Sequence, residues 1–193
     1  MKIVVQLVLA IAAIALAYLI YDGINQKIIF KKKAQDRREV VQDRLLNIVT
    51  AQKEFKSQKG RYAANFPELE NFLKNDSLVI IKAIGTVPDT LTEVEAVQLG
   101  IVIRDTNLVP ARSIFEGTTV VVDSLRFIPF SDNQTFKMQA DQIEKNKVNV
   151  NVFEASAKLE HVYRGLNTKN ENVDLDDVLK VGSLTEPITS GNW

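Results

Sequence analysis

Residues 3–20, IVVQLVLAIAAIALAYLI, carry no charged side chain and a single amide, Gln6. A helix of about 20 apolar residues crosses a hydrocarbon core about 30 Å thick. This run therefore predicts a membrane anchor, and the remainder of the chain is what that anchor holds at a bilayer. Tyr18 and Tyr21 stand near its polar end, where amphipathic rings favour the membrane interface, and Asp22-Gly23 returns the sequence to polar residues. The competing reading is a cleaved signal sequence with Ala15-Leu16-Ala17 as its small-x-small site. The apolar run continues through that site, which favours an uncleaved anchor.

Charge around the anchor is asymmetric. Lys2 precedes it, whereas Lys27, Lys31, Lys32, Lys33, Arg37 and Arg38 follow. The positive-inside rule would keep the C-terminal part in the cytoplasm. The run Lys31, Lys32, Lys33 can meet anionic head groups if the helix leans on the membrane, so membrane lipid is the first expected partner.

No glycine lies between Gly23 and Gly60, no proline precedes Pro67, and the intervening residues are mostly good helix formers. One helix is expected from the membrane to about Lys59. Ala34, Val41, Ile48 and Phe55 recur every seven residues with Leu45 between them, an apolar stripe on a charged surface. Two readings follow. Its second half, Val40 to Phe55, packs on the chain's own sheet; or Ala34, Val41, Leu45, Ile48 and Phe55 form an interface with a partner, as in a coiled coil. Arg38 and Gln52 interrupt the second seam position of such a coil. The expected organisation is an anchor over 1–21, a helical stalk over 22–59 and a globular domain over 60–193.

Within that domain, Gly60 ends the helix, and Arg61 to Asp76 reads as a loop and a short helix with Pro67 in its first turn. Leu78 to Ile84 is expected to be a buried strand. Thr90-Leu91-Thr92-Glu93 has the form of a capping box, predicting a helix over 91–99 closed by Gly100. Ile101 to Arg104 reads as a brief strand leading into a loop through Pro110, with Arg104-Asp105 a local ion pair. Thr118 to Val122, Ser124 to Ile128, Thr135 to Gln142 and Val148 to Phe153 are expected strands of an antiparallel sheet. Ser131-Asp132-Asn133 and Glu144 to Lys147 are the turns between arms. Residues 153–164 fit either a strand or a short helix, and the polar tail from Asn167 is expected to lie over the surface, with Leu175, Val178 and Leu179 as a docked turn. The fold class is α+β: a long transmembrane-plus-stalk helix, then a small domain with a mainly antiparallel sheet.

The chemistry available is sparse. Lys plus Arg and Asp plus Glu both number 24, so the net charge is zero and no basic field favours nucleic acid. The absence of cysteine excludes thiolate catalysis, disulfides and zinc-cysteine sites. His161 is the only histidine and lacks companions for a metal site. Glu171, Asp174, Asp176 and Asp177 offer oxygen ligands without the glycine and terminal glutamate of a calcium loop. No Gly-x-Ser-x-Gly elbow and no glycine-rich phosphate loop occur. The expectation is no enzyme, no cofactor and no resident metal.

The segment AQKEFKSQKGRYAANFPELENFL, Ala51 to Leu73, resembles type IV pilins and type II secretion pseudopilins. Gly60-Arg61-Tyr62 and Pro67-Glu68-Leu69 match that family's helix-ending Gly-x-Tyr-Pro segment and the leucine-containing turn after it. About a third of the chain takes part. The apolar run departs from the family in having no glutamate and no glycine before Gly23. The resemblance implies a non-processed, non-enzymatic assembly subunit of an envelope machine, working through contacts with other membrane or envelope proteins or a second copy of the chain. It also implies an inner-membrane anchor and an extracytoplasmic domain. Asp76-Ser77-Leu78, Asp89-Thr90-Leu91 and Asp123-Ser124-Leu125, which look like O-glycosylation sites of exported bacterial proteins, point to the same side. The alternative is a tethered binding or sensory module for a ligand or envelope polymer.

Overall fold

The computed structural model describes residues 2–86, 88, 92–169 and 171–193. Helix α1 runs unbroken over Lys2–Lys59, 58 residues and, at 1.5 Å per residue, about 87 Å. It stops at Gly60, whose φ of 74° is the left-handed cap conformation and whose N–H donates to the Lys56 carbonyl at 2.8 Å.

The two halves of α1 live in different surroundings. The apolar half is long and apolar enough to cross a membrane and none of it is buried against the rest of the chain. From Phe30 onward the helix is the spine of the domain, burying Phe30, Ala34, Val41, Leu45, Ile48, Val49, Ala51, Gln52 and Phe55. The expectation of a stalk over 22–59 holding the domain away is therefore corrected. Only about eight residues, roughly 12 Å of helix, separate Tyr21 from the first core side chain.

Of the two readings of the apolar stripe, packing of its second half on the chain's own domain is the one the structure shows, and the partner interface is corrected. Ala34, Val41, Leu45, Ile48 and Phe55 lie inside the chain's own core, and Val41, Leu45 and Ile48 have no exposed surface at all. Each fully buried aliphatic side chain stabilises the fold by about 1.5–3 kcal/mol, which no open seam for a partner would supply to the monomer. Gln52, out of place in a coiled-coil seam, is equally buried and fully bonded. Its Oε1 accepts from the Ala63 N–H at 2.9 Å, and its Nε2 donates to the Ala63 carbonyl at 2.9 Å and to Met138 Sδ at 3.2 Å. The amide acts as a one-residue strand partner that straps the returning loop to the helix.

That loop leads into α2 (Phe66–Asn75), capped by Asn65, whose side chain accepts from the Glu68 N–H at 3.0 Å. Glu68 in turn accepts from the Ala64 N–H and pairs with Arg61 at 2.5 Å. The Arg61 hydrogen bond holds the Glu68 carboxyl below its ordinary range. Phe72 of α2 meets Phe55 edge-on, ring centres 5.1 Å apart.

Two antiparallel sheets follow. Strand β1 (Ser77–Ile84) pairs with β2 (Ile103–Pro110), enclosing the short helix α3 (Glu93–Gln98). Strands β3 (Lys137–Lys145), β4 (Val148–Lys158) and β5 (Val178–Ser183) form the second sheet in the order β3-β4-β5, with α4 (Leu159–Val162) between the last two. This sheet lies on α1, with Phe153, Ala155, Ala157, Leu179 and Val181 buried. The β3–β4 turn is two residues, Asn146 and Lys147, both at positive φ, the twist-matched hairpin geometry. Gly182 has a φ of 73°, and a Cβ there would stand 2.1 Å from the Phe153 carbonyl oxygen, so β5 can pair with β4 only through glycine.

Several local expectations are corrected. Residues 118–128 form no strands; a 3-10 turn at Val122–Ser124 and a single bridge between Phe127 and Thr135 take their place. Leu125 and Ile128 are buried there as plugs rather than as ladder members. Residues 103–110 are strand rather than loop, and β1 leaves Val79 and Ile80 nearly half exposed rather than buried. The capping box is made by Thr92 and Glu95, with Thr90 and Leu91 outside the described residues. Residues 153–164 are strand and then helix. The tail is structural: β5 pairs with β4, and Asn192 and Ser190 bond back to Lys180 and Gly182.

Replacing Gln52 by Leu should lower the unfolding free energy of the detergent-solubilised chain by about 2–3 kcal/mol, because the Ala63 N–H and carbonyl lose their partners in the core. Lys53→Ala, one residue away on the exposed side, should stay within about 0.5 kcal/mol. Urea titrations followed by circular dichroism give both values.

Candidate functional site

Two groups of side chains stand outside the core, one where α1 meets the loop after α4 and one on the β1–β2 hairpin. Beside the anchor, residues 23–37 of α1 face the loop that follows α4. Phe30 packs edge-on against Tyr163 with ring centres 6.0 Å apart. Two turns further along, Arg37 Nη1 donates to the carbonyls of Val162 at 3.2 Å and Arg164 at 2.7 Å. These carbonyls close α4 and lack intrahelical partners, so a cation is favoured there. The same guanidinium stands 4.9 Å from the centre of the Phe130 ring, and Arg164 pairs with Asp132 at 2.9 Å. The loop so gripped carries Phe130, Asp132 and Asn133 at positive φ. It is held internally by the buried Ser131, whose hydroxyl donates to the Ile128 carbonyl at 2.6 Å and accepts from the Gln134 N–H at 3.1 Å.

Between α1 and residues 165–171 lies a cleft of about 650 Å³. Lys27 and Lys33 line it together with Gln26, Phe30, Leu166 and Asn167. Of the residues expected at the membrane interface, Tyr18 and Tyr21 are two-thirds exposed on the bare part of α1, and Lys31, Lys32 and Lys33 are exposed above them. Lys33 turns toward the cleft; Lys31 and Lys32 are not part of its lining.

Farther along α1, Arg44 hydrogen-bonds both the carbonyl and the hydroxyl of Ser124, and partial burial lowers its pKa. Glu70 of α2 is buried and receives Nε and Nη2 of Arg126, with Nε at 2.6 Å from Oε1. This bidentate bond raises the Arg126 pKa. These pairs tie the irregular 111–136 segment to the helices.

The projecting hairpin is the apolar surface. Val79 and Leu108 are register partners, 45% and 70% exposed, and Ile80 is 48% exposed. Val94, Leu99 and Ile101, in the segment that joins the two strands, are exposed at 65%, 65% and 42%. Two-stranded hairpins are marginal alone in water, and exposed aliphatics at this density mark a surface for contacts.

The residues weighed for metal binding are scattered in role. Asp174 accepts from the Asp176 N–H at 2.9 Å, Asp176 pairs with Lys158 at 3.0 Å, and His161 is half-buried in α4. Among the described residues no group of three or more His, Asp or Glu side chains is placed to hold a metal ion. Two of the three Asp-Ser/Thr-apolar tripeptides are in place: Asp76 pairs with Lys59 at 2.7 Å, and Ser124 Oγ donates to the Val121 carbonyl at 2.9 Å. Residues 89–91 lie outside the described residues. Sequence reasoning missed Arg37 as a carbonyl clamp, the anchor-side cleft and the exposed hairpin. Adjacent Val79 and Ile80 were the one available signal for the last, since neighbours in a strand face opposite sides.

The fold and these surfaces define an α+β domain carried on one N-terminal helix able to span a membrane. The chain matches no protein-family model, no curated protein and no solved structure.

Arg37→Ala should free the end of α4, accelerating amide hydrogen exchange across Val162–Leu166 and lowering global stability by about 1.5–3 kcal/mol, the range for charged hydrogen bonds. Exchange mass spectrometry of the detergent-solubilised protein reads both effects.

Proposed function

We propose that this chain is a non-enzymatic, membrane-anchored structural or assembly subunit of a bacterial envelope machine of the pilus, secretion or motility type. Its helix sits in the cytoplasmic membrane and its domain lies on the extracytoplasmic side. The observation that carries this reading is the continuity of α1, whose bare apolar half and buried domain half are one helix without a break. Anchor and domain then move as one rod, so contacts made by either orient the other. The Ala51 to Leu73 resemblance supports the same reading, because a hydrophobic helix that continues into a packed amphipathic half beneath an antiparallel sheet is the arrangement it implies.

Partner contacts fall on the surfaces the core leaves free. These are the lipid-facing side of residues 3–20 and the hairpin face that carries the register pair Val79 and Leu108. Other envelope proteins or further copies of the chain are the partners of that patch.

Val79→Lys together with Leu108→Lys should shrink the particle extracted in mild detergent to the size of a micelle-bound monomer while leaving membrane insertion intact. Size-exclusion chromatography with light scattering reads this, and an unchanged particle would sink the assembly role of the hairpin. For the compartment, Glu186→Cys and Lys145→Cys, in a chain with no other cysteine, should react with a membrane-impermeant thiol reagent in cells whose outer membrane alone is opened. Protection that ends only on lysis would place the domain in the cytoplasm, as the charge asymmetry around the anchor predicts.

A further inference from the structure

We infer that the cleft between α1 and the loop after α4 is a binding site for the phosphate of an anionic phospholipid head group. The inference rests on α1 being a membrane anchor and is independent of the assembly role.

Four observations converge on it. The first is position. The apolar run ends at Ile20, and the lining of the cleft begins at Gly23 and ends on α1 at Lys33. At 1.5 Å per residue these lie from about 4 to about 20 Å beyond the hydrocarbon edge. Head groups occupy about the first 5–8 Å of that distance, so the Gly23 end of the cleft stands at head-group level, Gln26 and Lys27 are within side-chain reach of it, and Lys33 closes the far end. A membrane phospholipid is thus the one ligand already present at the mouth of the cleft.

The second is charge. Lys27 and Lys33 flank the opening, and among the described residues neither has an ion-pair partner of the kind that Lys59, Lys74, Lys158 and Lys180 have. Glu171 is the one acid in the lining and offsets part of this charge, leaving a net positive site.

The third is the combination of lining types. Gln26 and Asn167 add neutral donors for phosphate or glycerol oxygens, and Phe30 and Leu166 give an apolar wall continuous with the lipid-facing helix. A phospholipid head group with its glycerol and first acyl carbons can use both the donors and the wall, whereas a free anion has no use for the wall. The fourth is size. About 650 Å³ lies within the range of small-ligand sites and is ample for a phosphoglycerol group. The cleft wall is also rigid on both sides, because Arg37 and the Phe30–Tyr163 contact fix the α4 loop to α1.

The test is native mass spectrometry of the full-length chain in detergent micelles containing equal amounts of phosphatidylglycerol and phosphatidylcholine, alongside flotation with vesicles of each composition. The chain should float with both vesicle types and retain one phosphatidylglycerol at least about tenfold in preference to phosphatidylcholine, given roughly fivefold per lysine near a membrane surface. Lys27→Gln with Lys33→Gln should bring the preference close to parity, whereas Lys31→Gln with Lys32→Gln should keep it within about twofold of the unchanged chain. A phosphatidylglycerol carrying a photoactivatable head group should crosslink to the peptide containing Gly165 to Glu171, a readout that needs no variant. Equal loss in both double variants would reduce the effect to diffuse surface charge and overturn the site. Displacement of the lipid by millimolar inorganic phosphate would reassign the cleft to a free anion. Flotation without lipid preference would overturn the site while leaving the anchor intact, and failure to float would overturn both.

Discussion

The contact on which the molecule depends is that between the second half of α1 and the sheet β3-β4-β5. Val41, Leu45 and Ile48 on the helix and Phe153, Ala155 and Val181 on the sheet have no exposed surface, and α2 closes the core from the other side through Phe72 and Leu73. The strands alone form a three-stranded layer with one apolar face, which must be covered to be stable. The helix supplies that cover. Without it neither the returning loop, strapped by Gln52, nor the segment held by Arg44 would have a surface to bind.

This contact also determines how the bare apolar half of α1 is coupled to the domain. Because the core begins at Phe30, the helix has about eight residues in which to bend between bilayer and domain, all of them helical and only one of them glycine. A tilt of the anchor therefore reorients the domain, and the α4 loop, pinned by Arg37, moves with it. The cleft beside Lys27 and Lys33 sits at this junction, so a lipid bound there would touch anchor and domain at once.

Where the sequence was read correctly, the signal was local. Gly60 ending α1, Pro67 in the first turn of α2 and the tight turn within Glu144 to Lys147 each follow from backbone sterics. Where it was misread, the deciding partner was distant in sequence. Residues 118–128 are rich in Val and Ile, as strands are, but their neighbours in space are the helices α1 and α2, which offer side chains such as Arg44 and Lys74 and no ladder of N–H and carbonyl groups. Residues 178–183 look like polar tail, yet β4 presents an open edge, and Gly182 permits the approach that makes them its third strand.

The sequence by itself determined that one helix with an uncharged stretch over residues 3–20 runs to Gly60, that an α+β domain follows and that its chemistry lacks thiols and clustered histidines. These depend on composition and on interactions spanning a few residues. Only the tertiary structure decided what the heptad stripe faces, because a period of seven specifies that one side of a helix must be buried and says nothing of whether the covering surface is a partner or the same chain. It decided likewise that Lys27 and Lys33, separated by six residues, line one cleft with Asn167, an adjacency created when the chain folds back beside its own anchor.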